Sequence, residues 1–297
     1  MSTKIRFDLA APYEVDERDV PFARVDGKEL LARVYRPNGQ AEAPLAVLVD
    51  VHGGAWSRND RLSGAIHGRA LAASGLVVVS LDFRQGSEAK HPAASADVAA
   101  GIRYVRAQAR SLGIDPRRVG LVGSSSGGQL ALLAGLKPGA FPGTPIVTPD
   151  GALDAAPADE SVSFVLALYP VADPLARFRY VVGRENDGSG FDAKRLIAAH
   201  HGYFLSDAQM AEASVTRIVT ARENRALPPV WLAHPELDDN VPAEITDAFV
   251  QAYQQAGGAI ERVHFPGARH GFIGQASAAN DKAIELMREF IGRQLAR

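Results

Sequence analysis

Apolar residues along this chain gather in short, nearly unbroken runs instead of alternating with polar ones. Residues 45–51 (LAVLVDV), 76–83, 119–122, 162–169, 230–233 and 260–265 are of this kind, which is the pattern of strands buried on both faces. Segments of helical character separate them, over 61–74, 93–112, 127–136, 243–256 and 278–294. Strand and helix in alternation predict an α/β fold, with a mostly parallel central sheet and helices on both faces. The punctuation agrees: Asp115-Pro116 has the form of a cap and turn, and Gly257-Gly258 closes a helix before the next strand. Between 170 and 227 the alternation lapses, with no strand evident and Gly, Asp, His and aromatic residues intermixed. A structureless loop of that length is foreign to a compact domain, so helices are expected there, forming a cap over the sheet. The whole chain, 1–297, is read as one domain with 170–227 as a cap or lid insertion, and the Ala- and Pro-rich stretch 138–158 as a surface excursion.

Composition narrows the chemistry. With 297 residues, 46% of them hydrophobic and 22% charged, the chain can bury a large core. The 32 Lys and Arg nearly balance 34 Asp and Glu, for a net charge of -2, and no basic stripe forms, so nucleic acid is not expected as a partner. There is no cysteine, which removes disulfides, thiolate metal sites and a thiol nucleophile together. The opening MSTKIRFDLAAPYEV has scattered charge and no apolar stretch, and the longest apolar runs are under half a membrane span; a cytoplasmic protein without a membrane span is the expectation.

Residues 119–122 lead into Gly123-Ser124-Ser125-Ser126-Gly127-Gly128 and then the helix-like QLALLAGL. This is Gly-x-Ser-x-Gly between a strand and a helix. So sharp a turn needs glycine on both sides, and it pushes the central hydroxyl, that of Ser125, out at the carboxyl edge of the sheet. The bland reading, a glycine turn that only packs a helix on a strand, suits a bare motif; the flanking strand and helix favour a nucleophile. After 45–51 comes His52-Gly53-Gly54-Ala55-Trp56, where no side chain blocks the glycine amides. The N–H groups of Gly53 and Gly54, with that of Ser126, are candidate donors to an oxyanion, each worth on the order of 3 kcal/mol in an acyl-transfer transition state. His52 reads as a turn residue whose ring bonds nearby backbone, and Trp56 as a pocket wall or packing residue.

A serine hydroxyl needs a general base, and the base an orienting acid. The loop after 230–233 carries His234, Glu236, Asp238 and Asp239; the loop after 260–265 carries His270. Carboxyl ends of parallel strands share one edge of the sheet, so these loops converge on Ser125 and Gly53. Of eight histidines, His270 alone follows the carboxylate-bearing loop in a loop of its own. His234 competes, whereas His67 and His91 read as structural or surface residues. Glu236, Asp238 and Asp239 remain open for the acid.

Together these residues resemble the α/β-hydrolase superfamily, and within it the esterase/lipase branch of hormone-sensitive-lipase-like and bacterial acetyl esterases. HGGAW is similar to that branch's HGG-type motif, GSSSGG to its GDSAGG elbow, and DFRQGSE at 82–88 with Pro92-Ala93-Ala94 and Asp97 to its DYRLAPE…PAALED segment. The resemblance runs from about residue 45 to the C-terminus and implies the order serine, acid, histidine. Asp238, placed by D-x-x-V-P, then becomes the acid beside His270 in HGF. It departs from the pattern in Ser124 and Ser126 at the elbow and in lacking a third consecutive glycine after His52; HGG followed by an aromatic is also similar to arylformamidases. The implied activity is a serine carboxylesterase acting on small or aromatic esters through an acyl-enzyme, without metal or organic cofactor. An amide or formamide hydrolase with the same triad and a non-catalytic small-ligand-binding protein are the alternatives. A small-molecule ester is the expected partner, with a homo-oligomer left open. Aromatic residues of the inserted segment, Phe178, Tyr180, Phe191, Tyr203 and Phe204, together with Trp56, are expected to give a mainly apolar pocket for compact acyl groups.

Overall fold

Residues 4–156 and 158–297 are described by a computed structural model of the chain. Its central sheet has eight principal strands: β1 (Val15–Val25), β2 (Lys28–Pro37), β3 (Leu45–Val51), β4 (Val77–Leu81), β5 (Ile114–Ser124), β6 (Phe164–Leu168), β7 (Val230–Leu237) and β8 (Ile260–Arg269). They lie in the order β8-β7-β6-β5-β3-β4-β2-β1. From β4 to β8 every pairing is parallel, and β2 runs antiparallel to both β4 and β1. Every residue of β3, β4 and β6 is buried, so the continuous apolar runs have the cause the sequence implied. Strand 119–122 extends at both ends into β5. The 138–158 excursion supplies two short strands, Ile146–Val147 and Leu153–Asp154, that lengthen the β1 edge.

The hairpin β1–β2 has no counterpart among the expected strands. Its β1 strand, VDERDVPFARV, is mostly exposed, carries Pro21 next to a shift in register, and so lacks the hydrophobic run that marks the interior strands. The turn that joins the two does have a signature: Asp26 and Gly27 both take positive φ, 51° and 79°, the two-residue Asp-Gly hairpin.

In chain order the helices are α1 (Ala65–Ala72), α2 (Ala93–Ala107), α3 (Ser126–Leu136), α4 (Pro174–Gly183), α5 (Ala193–Tyr203), α6 (Asp207–Glu212), α7 (Val215–Thr220), α8 (Ala243–Gln255) and α9 (Ala278–Leu295), with a four-residue turn at Ala109–Leu112. Helices α2, α3 and α8 bury Val98, Ile102, Leu130, Leu133 and Phe249 in a core on one face of the sheet. Helices α1 and α9 bury Leu71, Ile284, Met287 and Ile291 on the other. Helix α1 is shorter than the sequence suggested because Arg61 is held in the preceding turn, where its N–H and guanidinium both bond the Asp82 carboxylate at 2.9 Å.

Helices α4 to α7 occupy the segment where no strand was expected, and each begins at a residue whose side chain accepts an N–H of the first turn: Asp173, Asp192, Ser206 and Ser214. Such caps contribute about 1 kcal/mol each. No helix among the described residues is long and apolar enough to cross a membrane.

Candidate active site

Strand β5 turns into helix α3 at Ser125, whose backbone has φ 53° and ψ -119°. That conformation is strained for a residue with a Cβ, and the surrounding bonds enforce it. The Ser125 N–H donates to the Leu168 carbonyl at 2.8 Å, and the Ser125 carbonyl accepts from Gln129 and Val171. Space decides the glycines. A Cβ on Gly127 would lie 2.1 Å from the Val51 carbonyl oxygen, and one on Gly123 would lie 2.5 Å from that of Gly127. The elbow is therefore pressed against the end of β3, where the His52-Gly53-Gly54 turn begins.

His270 and Asp238 each follow directly on a strand, β8 and β7. The Ser125 Oγ lies 2.9 Å from Nε2 of His270, and Asp238 Oδ2 lies 2.9 Å from Nδ1. Asp238 Oδ1 accepts the N–H groups of Asn240 at 2.9 Å and Val241 at 2.8 Å. With both carboxylate oxygens accepting, Nδ1 carries the imidazole proton, which leaves Nε2 free to take one from Ser125. The Tyr169 ring, just past β6, packs edge-on to His270 at 4.9 Å. The rival residues have other partners. Glu236 accepts the Gly267 N–H at 2.7 Å and so braces the His270 loop. Asp239 is exposed. His234 is buried in β7 and stacks on His264, and burial, with Arg262 and His264 nearby, pushes its pKa down.

Among the described residues, the N–H groups of Gly53, Gly54 and Ser126 find no hydrogen-bond acceptor. Gly53 and Gly54 line the cavity in front of Ser125; Ser126, at the first position of α3, is fully buried behind them. The peptide between Gly53 and Gly54 is fixed from its carbonyl side. His52 Nδ1 donates to the Gly53 oxygen at 2.7 Å and Asn59 Nδ2 at 3.2 Å, and because the peptide is planar and trans, the Gly54 N–H points the opposite way. His52 stacks on Phe83 with ring centroids 4.1 Å apart, and burial keeps its pKa below the ordinary histidine value. Gly54 has φ 122°, and a Cβ there would meet the Arg58 carbonyl oxygen at 2.1 Å. Arg84 and the buried Asp97, from the DFRQGSE…D resemblance, form a part-buried ion pair at 2.7 Å that holds the β4 exit to α2. That pair is structural.

The cavity beside Ser125 and His270 measures about 260 Å³. Its walls correct the sequence reading, for none of Trp56, Phe178, Tyr180, Phe191, Tyr203 and Phe204 lines it. Trp56 is buried, donates Nε1–H to Gln129 at 3.1 Å, lies flat on Tyr203 and meets Phe204 edge-on. These rings clamp the end of α5 to the turn after β3. Phe178 packs on His200 and His201, the Tyr180 hydroxyl donates to the Asp239 carbonyl, and Phe191 lies under the Arg184 guanidinium. Large rings join elements here, and composition alone cannot distinguish that from walling a pocket.

The lining is instead polar and cationic, with Arg58, Arg177, Arg195 and Asn240, and among the described residues no carboxylate lines the cavity. Arg177, on α4, is 1% exposed. Its Nε and Nη2 bond the backbone and side-chain oxygens of Asn240, and Nη1 has no partner among the described residues. Burial, then the like charge of Arg195, brings its pKa down to about 9 against the pull of Asp238, so it is a cation at neutral pH. His67, read from sequence as structural or surface, also borders the cavity. Its Nε2 lies 3.1 Å from Asp50 Oδ1, and Asp50 also accepts from Ser80 at 2.7 Å. Although burial opposes it, His67 and Ser80 hold the Asp50 carboxyl below its usual pKa. Among the described residues there is no cluster of three or more His, Asp or Glu side chains placed to hold a metal ion.

A mostly parallel sheet of this order, with a serine on a strand-to-helix elbow and histidine and aspartate after later strands, defines an α/β-hydrolase of the esterase/lipase type. The chain belongs to the BD-FAE family, whose model matches residues 33–253. Esterase LipC of Mycobacterium tuberculosis is 30% identical over 257 residues, a match that covers 83% of this chain and 58% of LipC, so the chain spans less than two thirds of that relative. Ethyl acetate hydrolase of Pseudomonas putida is 26% identical over 268 residues, covering 87% of this chain and 76% of that protein. Esterase 2 of the planctomycete Thermogutta terrifontis, solved with propionate bound, superimposes with a TM-score of 0.71 at 25% identity over 95% of this chain and 94% of that one; it has also been solved phosphorylated by paraoxon.

Proposed function

We propose that this protein is a serine carboxylesterase for compact esters, with Ser125 as nucleophile, His270 as general base and Asp238 as the orienting acid. The observation that carries the reading is the continuous chain of two 2.9 Å contacts from Ser125 Oγ through His270 to Asp238, beside a cavity bounded by glycine amides that have no acceptor among the described residues. His270 takes the Ser125 proton as Oγ attacks the ester carbonyl, and the developing oxyanion is received by the N–H groups of Gly53, Gly54 and Ser126. His270 then protonates the departing alkoxide, leaving an acyl-enzyme. Water, deprotonated by the same imidazole, attacks the acyl carbon and releases the acid and free Ser125. His52 and Asn59 act as positioning residues for the Gly54 amide.

The segment 170–227 is the cap of this site, since α4 and α5 contribute Arg177 and Arg195 to its wall. A preference for short acyl groups is supported by the cavity's volume and by the propionate seen in the Thermogutta enzyme; a preference for aromatic esters loses its support with the aromatic wall. The test is a series of p-nitrophenyl esters from acetate to palmitate, with p-nitroacetanilide alongside. The specificity constant is expected to peak between acetate and butyrate and then fall, each misfit methylene costing roughly 1 kcal/mol. A steady rise to palmitate contradicts the substrate size, and a faster anilide contradicts the esterase assignment.

A further inference from the structure

We propose that the cap-side wall of the cavity is an anion subsite, and that the esters hydrolysed here carry a carboxylate near the scissile bond, received by Arg177 and Arg195 of the inserted segment, with Arg58 of the turn after β3 lining the same cavity. This rests on the esterase reading of the same site and adds the chemical class of its substrate. Among the described residues, three guanidinium groups and no carboxylate line a cavity of about 260 Å³. Buried charges are normally paired, yet Arg177 is 1% exposed and among the described residues has no acidic partner within 4.0 Å; Arg58, also without one, is exposed. Arg195 pairs with Asp192 at 2.8 Å, but those side chains are 36% and 61% exposed, so water screens the pair and the charge of Arg195 is little reduced.

Arg177 is the decisive residue. Asn240 takes its Nε and Nη2 donors through two neutral oxygens, which fixes the plane of the guanidinium without neutralising it. The remaining nitrogen, Nη1, is buried and unpartnered in a side chain that lines the substrate cavity. An unspent, charged donor held in a fixed plane is what recognition of a carboxylate needs. A neutral ester would leave it unspent, and a site built to bond a polar group discriminates strongly against the analogue that lacks it.

The experiment uses the intact protein and two matched pairs of substrates at pH 8. Monomethyl succinate against methyl succinamate places the charge on the acyl side; 4-acetoxybenzoate against 4-acetoxybenzamide places it on the alcohol side. The wild type is expected to favour the anion over its neutral isostere in kcat/KM by roughly 10-fold or more in one pair, mainly through KM, and the pair that responds identifies the side. In Arg177→Gln that ratio is expected to fall to near one, and in Arg195→Gln to fall part of the way. Should Arg177→Gln fail to fold, Arg195→Gln and Arg58→Gln carry the test, together with competitive inhibition of p-nitrophenyl acetate hydrolysis by glutarate, which is expected to weaken in both. A ratio of one or below in both wild-type pairs overturns the proposal. So does an Arg177→Gln enzyme that loses the anionic and neutral members equally, the result if Arg177 serves only the charge of Asp238. Hydrolysis of neutral esters without anion preference removes the subsite alone; failure to hydrolyse any ester, p-nitrophenyl acetate included, removes the esterase reading and the subsite with it.

Discussion

On its sheet side the cavity is bounded by residues that follow strand ends by one or two positions, Gly53 after β3, Ser125 after β5 and His270 after β8, with Asp238, just after β7, held against His270 and off the cavity lining. On its other side it is bounded by side chains of α4 and α5, chiefly Arg177 and Arg195. A parallel sheet fixes where its strands end, so the first set is positioned by backbone ladders and by glycines that admit no Cβ. The second set depends on which face two short helices present. On the proposed function, the sheet side carries the chemistry and the helical side what distinguishes one substrate from another.

Substitutions on the sheet side should be the more damaging. Asp238→Asn, which favours the wrong tautomer of His270, is expected to lower kcat about 10⁴-fold, whereas Asp239→Asn, an exposed neighbour, should stay within about threefold by the usual tolerance of surface sites; steady-state kinetics on p-nitrophenyl acetate compares them, and equal losses would remove the distinction drawn between the two carboxylates. Gly54→Ala forces a Cβ against the Arg58 carbonyl and should cost about 10²–10³ in kcat by displacing an oxyanion donor. Asn59→Ala removes one of two bonds to the Gly53 oxygen, and a loss of about 10-fold in kcat with KM little changed is expected for a bond of that strength. The smallest effect belongs where the two sides are fastened together, at the Trp56 contact between the turn after β3 and α5. Trp56→Phe leaves the buried Gln129 oxygen without its donor, and should lower stability by about 1–3 kcal/mol, read as a fall in Tm, without altering the order of preference among acyl chain lengths.

Legibility in the sequence follows the same division. Gly123, Ser125 and Gly127 were recognisable because a sharp turn under close backbone approach leaves few residue choices. The choice of Asp238 over Glu236 needed the family pattern, since only folding shows that Glu236 turns to the Gly267 amide. Strand β1 was missed because an edge strand with charged residues on its open face has no apolar run, although Asp26-Gly27 marked its turn. The inserted helices were legible in kind, because so long a break in the strand pattern does not stay structureless in a compact domain, but not in orientation; Asp173, Asp192, Ser206 and Ser214 at their starts are the signal that marks their boundaries. Aromatic content in that segment suggested an apolar pocket, and the rings of Tyr203 and Phe204 proved to be fastening α5 to Trp56. Arg177 gave no sign, because one arginine on a helix with several others is ordinarily solvated.

The central claim, that Ser125 is the nucleophile, is tested most directly by exposing the protein to paraoxon and mapping the adduct by peptide mass spectrometry. One diethylphosphoryl group per chain is expected, on Ser125, formed in step with loss of p-nitrophenyl acetate hydrolysis and absent from Ser125→Ala. A label on Ser124 or Ser126, or a Ser125→Ala protein that is still labelled and still active, would contradict it.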